Sequence, residues 1–284
     1  MTFSFRRQAR LLLALICAFL GSFIHAEEKP LWEAGLGAGG LLFPDYRGSD
    51  ESQAYPIPVP YFIYRGRFLR ADKEGVRGKL FDREFAELSM SVNATIPVNS
   101  DRNAARRGMP DLKPTLELGP SFDLHVWKSE DANARLDVVM PVRAPITLER
   151  SPKFIGWTFS PRLNLDVDNV AGLTGWTLGV GVGPIFADSK YHDYFYSVDP
   201  RYVTATRRAY HASGGYSGSQ FLGSISKRFD KYWIGAYVRF DVLNGATFED
   251  SPLVRSNHYL AGGFGFARMI GRSERMVQND PDEE

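Results

Sequence analysis

Lys231-Tyr-Trp-Ile-Gly-Ala-Tyr-Val-Arg-Phe-Asp-Val-Leu243 is the stretch on which the fold turns. Successive side chains of a β-strand point to opposite faces, so a strand between two different environments reads as strict alternation. Here Tyr232, Ile234, Ala236, Val238, Phe240 and Val242 share one face, while Trp233, Tyr237, Arg239 and Asp241 share the other. One face suits hydrocarbon; the other suits a polar interior.

The pattern recurs outward from this stretch. In 135–144, Leu136, Val138, Met140 and Val142 oppose Arg135, Asp137 and Arg143. In 154–168, Ile155, Trp157, Phe159, Leu163, Leu165 and Val167 oppose Thr158, Ser160, Arg162, Asn164, Asp166 and Asp168. Leu116, Leu118, Phe122, Leu124 and Val126 oppose Glu117, Ser121, Asp123 and His125, and Ala86, Leu88, Met90 and Val92 oppose Glu87, Ser89, Ser91 and Asn93. At about 3.3 Å per residue and a tilt of about 45°, such segments are long enough to cross a hydrocarbon layer. A soluble sandwich also alternates. Here, however, the polar face carries both acids and bases, and the apolar face ends in Trp127, Trp157 and Trp176, as interfacial girdles do.

The expected fold is therefore all-β, a transmembrane antiparallel β-barrel. Strands are read at 31–43, 55–64, 66–72, 75–81, 84–94, 114–127, 134–144, 154–168, 175–187, 218–229, 231–243 and 256–268. That makes about twelve, or ten if the short pair around 66–81 merges with its neighbours. Connections alternate mostly long and short, as when long extracellular loops face short periplasmic turns. Glycines cluster at Gly35, Gly37, Gly39 and Gly40, at Gly179, Gly181 and Gly183, and at Gly262, Gly263 and Gly265. A phosphate-cradling loop would have to open a helix. No helical periodicity follows any of these clusters, so they read as strand positions of close approach.

The N-terminus reads as a signal peptide over 1–26. Arg6, Arg7 and Arg10 precede an apolar run from Leu11 to Ile24, and Ala26 stands before Glu27 and Glu28. That run is shorter than the roughly 20 residues a spanning helix needs. Cleavage near Ala26 removes three of the 34 bases and none of the 33 acids, which leaves a net charge of −2 and no basic excess for nucleic acid. It also removes Cys17, the one cysteine, so neither a disulfide scaffold nor a thiol enzyme is expected. The barrel is expected over 27–268, followed by an acidic, disordered, periplasmic tail over 269–284 that ends Asp280-Pro-Asp-Glu-Glu284.

Several stretches carry a family resemblance. They include Gly35-Leu-Gly-Ala-Gly39, Pro44-Asp-Tyr-Arg-Gly-Ser-Asp-Glu51, Tyr55-Pro-Ile-Pro-Val-Pro-Tyr61, Arg67-Phe-Leu-Arg70 and Thr115-Leu-Glu-Leu-Gly119. Val182-Gly-Pro184 with Asp188 and Tyr191, Gly214-Gly-Tyr216, Lys231-Tyr-Trp233 and the segment from Ala246 to Ser251-Pro252 continue it. In these the chain resembles the MipA/OmpV family of outer-membrane proteins, in order over essentially the whole mature length. The resemblance implies a barrel in the outer membrane of a Gram-negative cell. It also implies a scaffold that bridges a lytic murein transglycosylase and a peptidoglycan synthase, with porin-like or adhesin-like roles described for other members. Such barrels usually end on an aromatic residue, whereas Phe264-Gly-Phe266 is followed here by further residues.

Ten charged residues are expected to line the lumen: Glu87, Glu117, Asp123, Arg135, Asp137, Arg143, Arg162, Asp166, Arg239 and Asp241. Their mixed signs point to pairing across the interior and not to an ion-selective lining, and a barrel of this size is narrow beside the general porins. The long connection 188–217 is rich in aromatics, and Tyr191, Tyr194, Tyr196, Tyr202, Arg207 and Arg208 are read as a loop binding surface, with a plug over the barrel mouth as the structural alternative. His211-Ala-Ser213 has a spacing used by a lipid A deacylase but lies in that loop, away from a lipid-facing strand. No catalytic residue is assigned. No metal-ligand spacing is present, and no cofactor is expected. The expected partners are outer-membrane lipid, the transglycosylase and the synthase, and no nucleic acid.

Overall fold

The computed structural model describes residues 28–65, 69–72, 75–78, 81–83, 85–131 and 133–278. The segment 1–26 read as a signal peptide and residues 279–284 of the expected tail lie outside the described residues. Residues 30–275 form one compact unit, and β1 (Glu28–Pro30) pairs with β16 (Met276–Gln278) in a separate two-stranded sheet.

The larger unit is one antiparallel sheet. Its strands are β2 (Trp32–Pro44), β3 (Ser52–Arg65), β4 (Leu69–Asp72), β5 (Gly75–Gly78), β6 (Phe81–Arg83), β7 (Ala86–Ala94), β8 (Thr115–Lys128) and β9 (Ala134–Thr147). They continue with β10 (Thr158–Phe159), β11 (Arg162–Asp168), β12 (Trp176–Ala187), β13 (Gly215–Arg228), β14 (Tyr232–Val242) and β15 (His258–Arg272). Nearly every strand pairs with its neighbour in the chain, and β15 returns to pair with β2, from Gly262↔Leu42 to Arg272↔Glu33. At the other end of the order, β5 lies against β7, and β6 pairs with β7. The sheet therefore closes on itself as a barrel. β5 with β6, and β10 with β11, each make one interrupted stave, so twelve staves are present among the described residues.

The exterior is apolar and the interior polar, the reverse of a soluble domain. On β15 the outward Leu260, Phe264, Phe266 and Ile270 are 58, 68, 46 and 72% exposed, while the inward Tyr259, Ala261 and Ala267 are 7, 1 and 0% exposed. On β8, Phe122 and Val126 face out, and Glu117, Asp123 and Ser121 are buried. A continuous apolar exterior of this size would drive association in water; against lipid it is the membrane-facing band of a barrel. No described helix is long and apolar enough to cross a membrane.

Local chemistry explains where the strands depart from the sequence reading. The expected strand 154–168 breaks between Phe159 and Arg162 at Pro161, which has no N–H for a ladder. In β3, Pro56, Pro58 and Pro60 fall on alternate positions of an unbroken ladder with β2. Their absent N–H groups therefore lie on the β4 side, where the described pairing is only Tyr64↔Ala71 and Arg65↔Arg70. Backbones also approach closely: a Cβ on Gly37 would stand 1.7 Å from the Phe266 carbonyl oxygen. The final strand outruns its expected end at 268 and reaches Arg272, and Met276–Gln278 is again strand, so the first part of the segment read as a disordered tail is in sheet.

Candidate functional site: a loop cap over a charged interior

All the longer connections leave the same end of the barrel: 45–51, 95–114, 148–157, 188–214 and 243–257. They fold onto one another. Tyr46, Val98, Leu112, Ile155, Phe195, Tyr196, Val198, Ala212, Leu243, Ala246, Phe248 and Leu253 form a buried apolar core drawn from, or bordering, all five. Tyr196 stacks on Phe248 with ring centroids 3.6 Å apart and planes within 6°. The barrel's conventional hydrophobic core is thus in its cap.

The segment 45–51 is the keystone. Tyr46 donates its hydroxyl proton to the Leu253 carbonyl at 2.8 Å, and the Tyr196 hydroxyl donates to the Arg47 carbonyl at 3.0 Å. Asn103 donates to Asp45 at 2.8 Å and to Ser49 at 3.1 Å. Gly48, at φ +94°, accepts through its carbonyl from the amides of Arg255 and Ser256, a conformation that suits glycine. Arg47 points the other way, into the barrel. Its Nε lies 3.1 Å from the Asp241 carboxylate and 3.2 Å from the Tyr259 hydroxyl. Arg239 forms an ion pair with the same carboxylate at 2.8 Å. Asp241 is fully buried between the two cations.

The 188–214 connection opens with α1 (Ser189–Tyr196), capped by the Asp188 carboxylate accepting from the Tyr191 amide at 2.9 Å. Along this helix Tyr191 packs against the cap core and lies within electrostatic reach of the inward Glu117 carboxylate. Burial pushes the Tyr191 and Tyr196 phenols well above their ordinary value, which keeps them neutral donors.

His192 is fully buried at the same helix. Its Nδ1 lies 2.6 Å from the Ser213 carbonyl oxygen and its Nε2 2.6 Å from Ser217 Oγ. Of the two neutral tautomers only the one with Nδ1 protonated satisfies both: Nδ1–H donates to the carbonyl, and Nε2 accepts from Ser217. A serine beside an imidazole is half of a nucleophilic constellation. Here a backbone carbonyl occupies the position an orienting carboxylate would take, and Ser217 is 1% exposed. The pair is a structural cross-brace. Burial lowers the His192 pKa; Arg47 pushes the same way, and the Ser213 carbonyl, Asp188 and Asp193 push against. The unfolded cap binds a proton at His192 that the folded cap refuses, so this contribution to stability is whole above the unfolded pKa of about 6.5 and is lost as pH falls through it. Limited proteolysis of 188–214 should therefore accelerate from pH 7.5 to pH 5.5. A His192→Asn variant, which keeps a donor and an acceptor without titrating, should show a flatter profile.

Beneath the cap, one wall of the barrel, β7 to β11, is charged. Arg135 and His125 both meet Asp137 at 2.8 Å. Ser89 and Ser121 donate to Asp123 at 3.2 and 2.5 Å, and Asn93 donates to Glu117 at 3.1 Å. Arg143 donates to Ser91 at 2.9 Å and to Ser160 at 3.1 Å, and Asn164 donates to Asp166 at 2.7 Å. Glu87 is buried on this face, Arg162 is half-buried, and Arg228 pairs with Glu33 nearer the short-turn end.

The residues read as a loop binding surface divide. Tyr196 and Arg207 are buried, at 3 and 7% exposure. Arg207 donates to the carbonyls of Tyr202, Ala105 and Arg107, and so stitches two connections together. Tyr191, Tyr194 and Tyr202 pack against the cap core. Arg208 alone is exposed, with one bond to the Asp250 carbonyl. The aromatic loop is thus the plug and not an outward surface, because burial in a shared core satisfies its tyrosines and arginine better than water does. Arg47 and His192 were not singled out from sequence. Arg47 lay within the motif Pro44 to Glu51, and nothing local marks it as inward. His125 pairs with Asp137, its ladder partner on the neighbouring β9, and not with Asp123 or Glu117 of its own strand. His211 is 82% exposed and pairs with Asp193 at 3.1 Å. No group of three or more metal-binding side chains occurs among the described residues.

Comparison with known proteins bears on this arrangement. The family model for MltA-interacting protein MipA matches residues 36–270, from β2 to β15. The outer membrane protein Omp26La of Vibrio anguillarum is 24% identical over 241 residues, covering 81% of this chain and 84% of that protein. OmpV, an outer membrane protein of Vibrio cholerae serotype O1, matches with the same identity and coverage. Among solved structures, the toluene transporter TbuX of Ralstonia pickettii aligns over 87% of this chain and 71% of its own, at 11% identity and a TM-score of 0.24. At that degree of likeness the sheet order above remains the evidence for the fold.

Proposed function

The chain belongs to the MltA-interacting protein MipA family, and from that premise we propose that it is a non-enzymatic scaffold which holds a lytic murein transglycosylase, together with a peptidoglycan synthase, against the inner side of the outer membrane. It is an outer-membrane β-barrel protein. The observation that carries the reading is the cap: five connections share a closed apolar core at one mouth, with Leu243, Phe248 and Leu253 fully buried. A mouth built this way favours neither free solute flow nor an exposed adhesive loop. The buried His192–Ser217 pair is likewise out of reach of a substrate. What is left to meet partners is the opposite end, with its short turns 129–133, 169–175 and 229–231.

Crosslinking of the tagged protein in intact outer membranes, followed by mass spectrometry of what co-purifies, tests this. The scaffold reading expects a murein transglycosylase and a synthase. Their absence beside a folded, heat-modifiable barrel would overturn it. The second reading is a narrow channel, favoured by the polar interior, and it is the reading that such a negative result would promote.

A further inference from the structure

The wall facing the charged one is of a different character. Between the Arg47–Asp241–Arg239 cluster near the cap and the Glu33–Arg228 pair near the short-turn end, the inner face of β14, β15, β2 and β3 carries aromatic or aliphatic side chains or none. Trp233 packs beside Tyr61 at 6.0 Å between ring centroids, and Tyr237 lies beside Phe43 at 6.4 Å. Both Trp233 and Tyr237 lie over glycine. A Cβ on Gly235 would stand 2.5 Å from Trp233 Cη2, one on Gly265 would stand 3.3 Å from Trp233 Cζ3, and one on Gly263 would stand 2.9 Å from Tyr237 Cε1. Glycine at these inward positions lets the rings lie back against the wall and leaves their faces toward the axis. In ring order β14–β15–β2–β3 stands opposite β7–β11, so the aromatic side chains stand across the barrel from the wall that carries the carboxylate, guanidinium and amide groups. Trp233, Tyr237, Val59, Arg143, Arg162 and Gln220 are all only half-buried, although each faces inward. Side chains that filled the lumen completely would have no such accessible surface.

We propose that this chamber binds a neutral saccharide, stacked by the C–H face of one ring on Trp233 and Tyr237 and hydrogen-bonded through its hydroxyls to the opposite wall. The chemistry selects the class. An aromatic face receives the apolar face of a pyranose ring. A sugar hydroxyl both donates and accepts, so it finds partners among guanidinium, amide and carboxylate groups alike. A purely apolar guest would displace water from those groups and offer them no hydrogen bond in return, and a ligand of one charge would meet like charge in a wall of both signs. The cap closes the long-loop end, so entry is from the short-turn end.

The protein carries a convenient reporter. Of its five tryptophans, Trp32, Trp127 and Trp157 are exposed on the outside, Trp176 lies outward beneath Lys227, and Trp233 is the one on the inner face. Full-length protein in a sugar-free zwitterionic detergent should give a saturable change in tryptophan emission with maltotriose or N-acetylglucosamine. Trp233→Phe should abolish that change. Gly235→Ala, which tips the ring without removing it, should weaken binding at least tenfold. Equilibrium dialysis of labelled maltotriose against the wild type provides a readout that needs no variant to fold. Saturable retention supports the proposal. No retention overturns it, as does an emission change that survives in heat-modifiable Trp233→Phe, or a response to benzoate or benzylammonium that exceeds the response to either sugar.

Discussion

Replacing Arg47 with methionine should release the cap from the barrel. Arg47 is the one side chain of the keystone segment that reaches the inner face, where it holds a fully buried Asp241 jointly with Arg239 and donates to Tyr259. Methionine keeps much of the bulk and removes the charge. Breaking a buried pair by deleting one partner costs about 3 to 5 kcal/mol, chiefly because the other ion is left desolvated. Asp241 retains Arg239, so the lower end of that range is the expected cost. The barrel ladder is untouched, and the variant should still migrate as a heat-modifiable species. Its 188–214 and 243–257 connections should become protease-sensitive at temperatures where the wild type resists. A double variant, Arg47→Met with Asp241→Asn, should recover much of the loss, because it removes the stranded charge.

Phe248→Ala should be at least as damaging to the cap and should act by a different route. Phe248 is fully buried, stacked on Tyr196 at 3.6 Å, and meets the His192 ring edge-on at 4.7 Å. Deleting a buried phenyl ring costs about 3 to 5 kcal/mol, through lost transfer energy and the cavity left behind. Because the ring bridges 188–214 and 243–257, the loss should appear as cooperative loosening of both, measured by hydrogen exchange of their amides. Protection in the β12–β13 and β14–β15 ladders should be unchanged. Phe248→Leu should recover a substantial part of the stability, which packing predicts and a specific stacking requirement does not.

How much of this was legible beforehand follows from what kind of interaction fixes each part. The barrel was readable because alternation is a local property: Tyr232 to Val242 states its two environments residue by residue, and the strand reappears at Tyr232–Val242. The inward position of Arg239, Asp241, Glu117 and Asp137 comes from the same rule. The cap was not readable in this way. Its core joins Tyr46 to Leu253 and Arg106 to Phe195 across gaps of 207 and 89 residues, and no periodicity within a connection announces such pairings. Aromatic density in 188–214 signals importance but not direction, and it gives no sign that Tyr196 and Arg207 are buried. The break at Pro161 and the short β3–β4 seam follow from missing proline donors and were accessible in principle. The extension to Arg272 was hidden because the polar residues after Phe266 resemble a solvated tail, although Arg268, Ile270 and Arg272 stand on exposed positions of a strand.

The central claim is that the long-loop mouth is closed by a folded cap, and planar-bilayer recording on the wild-type protein tests it most directly. With the cap shown intact by resistance of 188–214 to protease, the expected trace is a baseline without discrete conductance steps, with steps appearing only in Arg47→Met. Stable steps from the wild type with its cap intact would contradict it.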